Sequence, residues 1–352
     1  MGLDSDCQSD ESSFHRQGRA WRLFLNLNWG RIRAVKMRYR GLFILLVSGA
    51  ALVSAAACRQ APPPRPPAPV DLAALKPKFE FRGRILFQSD FNGNNDIYLL
   101  TRDGLRRLTD DPASDEFPKW SPDGRRIAFS SNRSGRYQIY VMNEDGTGIV
   151  QVSHSENDAG ELAWFPDGSK IAFTESWERA FGRSYVMYSL DPATGRTAKL
   201  LPKFFESNAL PEFSPDSRFL GFTGKRLAGW DVFVADLATG ESRRLTDGGG
   251  ACRPHFSPDG AKIAYVSASA DGKGDIWLMN PDGSGKERLT ERPETWDYFP
   301  GWSPDGKYVV FSSGTEHYPT EGVWSLNLVK VGTKRVIPLF SSGGRDVFPD
   351  WR

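Results

Sequence analysis

The sequence predicts an all-β protein built from repeated four-stranded units closed into a ring, and three observations predict it. The tetrapeptide Ser-Pro-Asp-Gly or a close variant recurs at 121–124, 165–168, 214–217, 257–260 and 303–306. Its prolines, at 122, 166, 215, 258 and 304, fall 43 to 49 residues apart, a period that marks a ring or array of supersecondary units. Each unit carries short apolar segments of strand length separated by Gly- and Asp-rich turns. Finally, the chain opens with an incomplete unit at 83–110 and closes on the lone segment FPDWR at 348–352. The two fragments complete one unit, so the prediction is a six-bladed β-propeller of four-stranded antiparallel blades, closed by the C-terminal strand joining the N-terminal blade.

The elements follow in order within each unit. First strands end on Trp120, Trp164, Phe213, Phe256 and Trp302, immediately before the proline turn. Second strands read RRIAFSS (125–131), SKIAFTE (169–175), RFLGFTG (218–224), AKIAYVS (261–267) and KYVVFSS (307–313). Third strands are QIYVMN (138–143), VMYSLD (186–191), DVFVAD (231–236), DIWLMN (275–280) and GVWSLN (322–327). Fourth strands are expected at 150–153, 197–201, 243–246, 287–290 and 334–339. The segment GRILFQS, with 96–100 and 106–110, supplies strands two to four of the remaining unit. Ring closure removes the unpaired edges that an open stack would expose. Trp351 is the expected keystone.

Ahead of the repeats the pattern changes. Residues 1–36 read as an extension, and Met37 is an alternative start that would give a compact leader. Residues 37–57 carry basic residues followed by the charge-free run GLFILLVSGAALVSAAA, in the order of an export signal or membrane anchor. Cys58 follows directly, and residues 58–82 form a tether whose stretch 59–70 contains seven prolines in twelve residues. Proline fixes φ and removes the amide donor, so this stretch is an extended spacer. The segment LVSAAAC (52–58) resembles a bacterial lipoprotein signal, which implies lipidation of Cys58. A periplasmic or membrane-attached location on the non-cytoplasmic side is expected.

Composition excludes several classes. The chain has 45 Lys plus Arg against 43 Asp plus Glu, and the excess sits before residue 58. The near-neutral body argues against nucleic-acid binding. Three cysteines rule out a disulfide scaffold. No nucleophile elbow, phosphate-binding glycine loop or dinucleotide fingerprint occurs; His154, His255 and His317 lie in different units without metal-ligand spacing, which leaves a spatial cluster brought together by the ring as their one route to a metal.

The motif W-S-P-D-G-x-x-I-A-F-S-S at Trp120 to Ser131, followed by the segment from Ile139 to Gly146 and then R-L-T, resembles the PD40 or TolB-type propeller repeat. The resemblance spans 83–352. It implies a propeller of the kind that works with lipoproteins and membrane partners in envelope integrity, and the same repeat also occurs in peptidases and carbohydrate-active proteins. TolB-type proteins carry a separate domain before the propeller, whereas here only residues 71–82 separate spacer and first strand.

Antiparallel meanders put the longer connections, those from second to third and from fourth to first strands, on one face. Trp177, Phe181, Trp230, Trp296 and Tyr318 fall in these connections and are the candidate partner-binding residues. Asp115, Glu116, Glu161, Asp297 and Asp346 precede or open first strands and are candidates for the channel mouth. No cofactor is expected, with calcium at those carboxylates as the alternative. The function expected is non-enzymatic: a cell-envelope binding module holding a protein or glycan partner. The alternative is a polysaccharide lyase or glycosidase with its site at the channel mouth.

Overall fold

The structure, a computed structural model, describes residues 72–179, 182–204, 207–226, 229–316 and 322–352. The export signal, Cys58, Phe181, His317 and Tyr318 lie outside the described residues. Six four-stranded antiparallel sheets are arranged in a ring. Blade 1 orders Val347–Trp351, Ile85–Ser89, Asp96–Thr101 and Gly104–Arg107 from the centre outwards. Blades 2 to 6 have innermost strands Asp115–Trp120, Asp158–Trp164, Asn208–Phe213, Ala251–Phe256 and Trp296–Trp302. Ile85 pairs with Trp351 and Leu86 with Asp350, so the C-terminal strand closes the ring as expected.

The core follows from strand register. In five blades the second and third strands place two aromatic rings opposite each other: Phe87 and Tyr98, Phe129 and Tyr140, Phe173 and Tyr188, Phe222 and Phe233, Tyr265 and Trp277. Their centroids are 5.4 to 6.5 Å apart, a cross-strand contact suited to large flat side chains. Apolar clusters then join one blade to the next, as where Leu86, Ile97 and Leu108 of blade 1 meet Trp120, Ile127 and Met142 of blade 2.

The R-L-T segments end their strands early for an identifiable reason. Thr109, Thr246 and Thr290 leave the ladder so that each hydroxyl accepts the backbone N–H of Ile97, Val232 or Ile276. The same hydroxyls donate to Asp96, Asp231 and Asp275, which also hold Arg107, Arg244 and Arg288. The fourth strands are accordingly shorter than the sequence pattern suggested, Ser242–Arg244 and Glu287–Arg288 among them. The proline turns are equally local: Ser121, Ser214, Ser257 and Ser303 each donate to the aspartate two residues on.

Residues 72–82, the end of the segment read as a tether, pack as a strap. Phe81 is buried, and Leu72, Leu75 and Phe79 rest on a cluster containing Val310, Leu326 and Leu339 of blade 6 and Ile85 and Phe87 of blade 1. The strap is pinned by the Lys78 N–H to the Leu339 carbonyl at 2.7 Å.

Candidate functional site

The candidate aromatics separate into different environments. Strands Ile171–Arg179 and Gly182–Leu190 pair along their whole length as a long hairpin. Its inner partner strand stops at the Asp158–Ser176 pair, so the hairpin projects beyond the blade. Trp177 stands on that projection and is 37% exposed. Trp230 is buried at 5%, its ring 5.9 Å from Tyr185 and beneath the Lys225 ammonium at 5.7 Å. It is a core residue because its strand, Gly229–Asp236, begins one residue before it. Trp296 opens the innermost strand of blade 6, half-buried beside Tyr298.

The candidate carboxylates also divide. Asp115 is fully buried and takes both carboxylate bonds from Arg133, at 3.0 and 2.9 Å. Asp297 is held by Arg292 and Thr295, and Asp346 by the Ser342 amide and hydroxyl. Glu116 accepts from Asn95, Ser114 and Tyr137. These four turn into inter-strand networks. Glu161 lines the channel. Among the described residues no group of three or more His, Cys, Asp or Glu is placed to hold a metal ion.

A different set of residues converges on the axis. Every innermost strand contains a bulge at which one non-glycine residue has positive φ: Phe117, Glu161, Leu210, Arg253, Phe299 and Phe348, at 46 to 60°. Such values are strained for large side chains. Five of these residues precede proline, whose missing N–H lets the ladder break without an orphaned donor. Neighbouring blades brace three of the bulges: the Phe117, Leu210 and Arg253 amides donate to Gln88, Thr174 and Thr223.

The bulges surround a cavity of about 70 Å³ lined by Phe117, Leu210, Arg253, Phe299, Phe348 and neighbouring residues. Phe348 lies 4.5 Å from Phe117 and 4.0 Å from Phe299. The Arg253 guanidinium stacks over Phe299 and Phe348 at 4.4 and 5.2 Å, a cation held on aromatic faces. Two positions further along each strand sit Lys119, Ala163, Glu212, His255, Gly301 and Asp350. Lys119 of blade 2 reaches Asp350 of blade 1 at 3.4 Å and Glu212 of blade 4 at 3.7 Å. Glu212 lies 3.5 Å from His255 Nε2. The small Ala163 and Gly301 complete this position in the other two blades. Burial opposes the Lys119 charge, but Asp350 and Glu212 outweigh it and hold the ammonium above the usual lysine range. Burial outweighs Glu212 at His255 and holds that imidazole below its usual value.

Sequence pattern does not single out Lys119, Glu212, Arg253 or Asp350, and it offers His255 only as one member of a spatial metal cluster with His154 and His317. The signal was present in the aligned segments FPKW, LPEF, RPHF, FPGW and FPDW, whose first and third positions vary while proline and aromatic stay.

Fold and axis together define a six-bladed propeller with a polar network set across its channel and longer connections on one face. The chain belongs to the PD40 family, described as the TolB beta propeller domain, whose model matches residues 72–191 and 163–351. An uncharacterised protein of Agrobacterium fabrum, Atu1656, is 31% identical over 62% of this chain and 72% of its own length. A TolB homologue of Chlorobium chlorochromatii is 32% identical over 53% of this chain, which spans only 40% of that relative. Among solved structures, TolB from Acinetobacter baumannii superposes with a TM-score of 0.66 and 22% identity over 78% of this chain and 67% of that one, a likeness of fold.

Proposed function

We propose that this TolB-like propeller is a non-enzymatic, exported binding module that holds a cell-envelope partner, protein or glycan, on its long-connection face. The observation that carries the reading is the blade 3 hairpin, which lifts Trp177 clear of the inner strand and leaves its indole exposed. An exposed tryptophan on a projecting hairpin is the kind of anchor that dominates recognition surfaces. Family membership supports the envelope setting, since a matching relative from Francisella tularensis subsp. mediasiatica, 25% identical over 62% of this chain, is a Tol-Pal system protein TolB.

The test is photo-crosslinking in intact cells from a benzoylphenylalanine at Trp177. A discrete adduct with one envelope component, absent when the label is moved to Ser217 on the opposite face, is expected. Identical adducts from both positions would reject the assignment. We also propose Cys58 as the lipid-attachment site; Cys58→Ser should then release the protein from membranes, and unchanged membrane retention would refute the anchor.

A further inference from the structure

We propose that the axial cavity receives the positively charged end of a lysine or arginine side chain carried by a protein partner. This rests on the reading of the long-connection face as the partner-holding surface and adds what enters the channel. The cavity, about 70 Å³, suits the tip of one long side chain and not a folded element. Around it stand three carboxylates, Glu161, Glu212 and Asp350, against two cations, Lys119 and Arg253. With burial holding the His255 imidazole below its usual value, these groups leave one negative charge in excess in a partly buried place. An arriving cation is stabilised there and an arriving carboxylate is repelled.

The rings of Phe299 and Phe348 are taken by the Arg253 guanidinium, which leaves the carboxylates as the partners of the arriving cation. The approach matches, since the exposed Asp110, Glu156, Glu294 and Glu316 outnumber the exposed Arg136 and Lys225 in the connections of that face, where Glu178 is paired with Arg183. The braced bulges fix the cavity before any ligand arrives, which lowers the ordering cost of binding.

The experiment uses the full chain and three fluorescein-labelled pentapeptides, Gly-Ser-X-Ser-Gly with X as Lys, Arg or Glu, followed by fluorescence polarisation at low and moderate salt. The Lys and Arg probes should bind at least tenfold more tightly than the Glu probe, and Glu212→Gln should weaken them about tenfold. A benzophenone-bearing Lys probe gives a second readout that needs no variant: its adducts should map to residues 117–119, 210–212 or 253–255. Equal binding of the three probes, preference for the Glu probe, or adducts only outside the innermost strands would overturn the inference. A partner crosslinked through Trp177 alongside such a result would leave the proposed function standing while removing this one. Basic probes entering the channel of a protein with no partner at Trp177 would support the cavity's chemistry and remove the proposed function instead.

Discussion

The Trp351 indole donates a 2.8 Å hydrogen bond to the carbonyl of Arg82, 269 residues earlier in the chain. The same ring meets Phe81 edge-on at 5.5 Å, while the backbones of Arg84 and Arg352 exchange hydrogen bonds. Strap, first strand and last strand are thus one joint.

Deleting residues 347–352 removes the inner strand of blade 1 and leaves the Ile85–Ser89 edge unpaired. The truncated protein is expected to lose its cooperative urea transition or to self-associate through that edge. Trp351→Ala, which keeps the strand, should cost about 2 to 3 kcal/mol. A truncated chain that unfolds with unchanged midpoint and stays monomeric on sizing columns would show that the joint is dispensable.

Ser217 has φ +61° at the turn position that is glycine in the other four proline turns. Left-handed backbone costs a residue with a Cβ about 1 to 2 kcal/mol, and glycine recovers part of that while adding unfolded-state entropy. Ser217→Gly should therefore raise stability by about 0.5 to 1 kcal/mol. Thermal unfolding of the pair checks it, and a lowered midpoint would contradict the strain argument.

Trp177 and Trp230 should respond in opposite ways to truncation. Trp177→Ala is expected to change stability by no more than about 0.5 kcal/mol, whereas Trp230→Ala should cost roughly 3 to 5 kcal/mol. Urea titrations of both variants measure the difference; equal losses would mean that the hairpin is part of the core.

Buried carboxyls give a pH dependence of definite sign. Burial pushes Asp346 and Asp275 up to about 7 and Asp96 up to about 6, from 3.8. The native state then keeps protons that the unfolded chain releases, so their contribution is complete below about pH 4 and is lost as pH rises to about 7. His255 runs the other way: its lowered value adds stability above the ordinary histidine range and loses it on acidification. Asp346→Asn cannot ionise, and its stability relative to the parent should improve between pH 4.5 and 8 by on the order of 2 to 4 kcal/mol. Urea midpoints at the two pH values supply the comparison, and a constant difference would refute the sign.

The ring was legible because repetition makes it so. The five proline turns set the period, and FPDWR matching FPKW set the closure. The individual environments were less legible. A tryptophan in a connection reads alike whether it stands on a projecting hairpin, as Trp177 does, or begins a buried strand, as Trp230 does. The carboxylates misled for a similar reason: Asp115 and Asp297 begin innermost strands, but their side chains turn towards Arg133 and Arg292 and away from the axis. The axial residues were written in the same segments that revealed the fold. Period-two alternation places side chains by parity, and a bulge resets that parity, so Arg253 and His255 could not be sent inward without knowing where the ladder breaks.

That reset parity has a further consequence. Lys119, Ala163, Glu212, His255, Gly301 and Asp350 occupy one equivalent location in six sheets whose backbones are fixed by residues on either side. Lys119, Glu212, His255 and Asp350 touch across the axis, and a Cβ at Gly301 would meet the Pro349 carbonyl oxygen at 3.0 Å, so a change at one axial position must be answered at its neighbours.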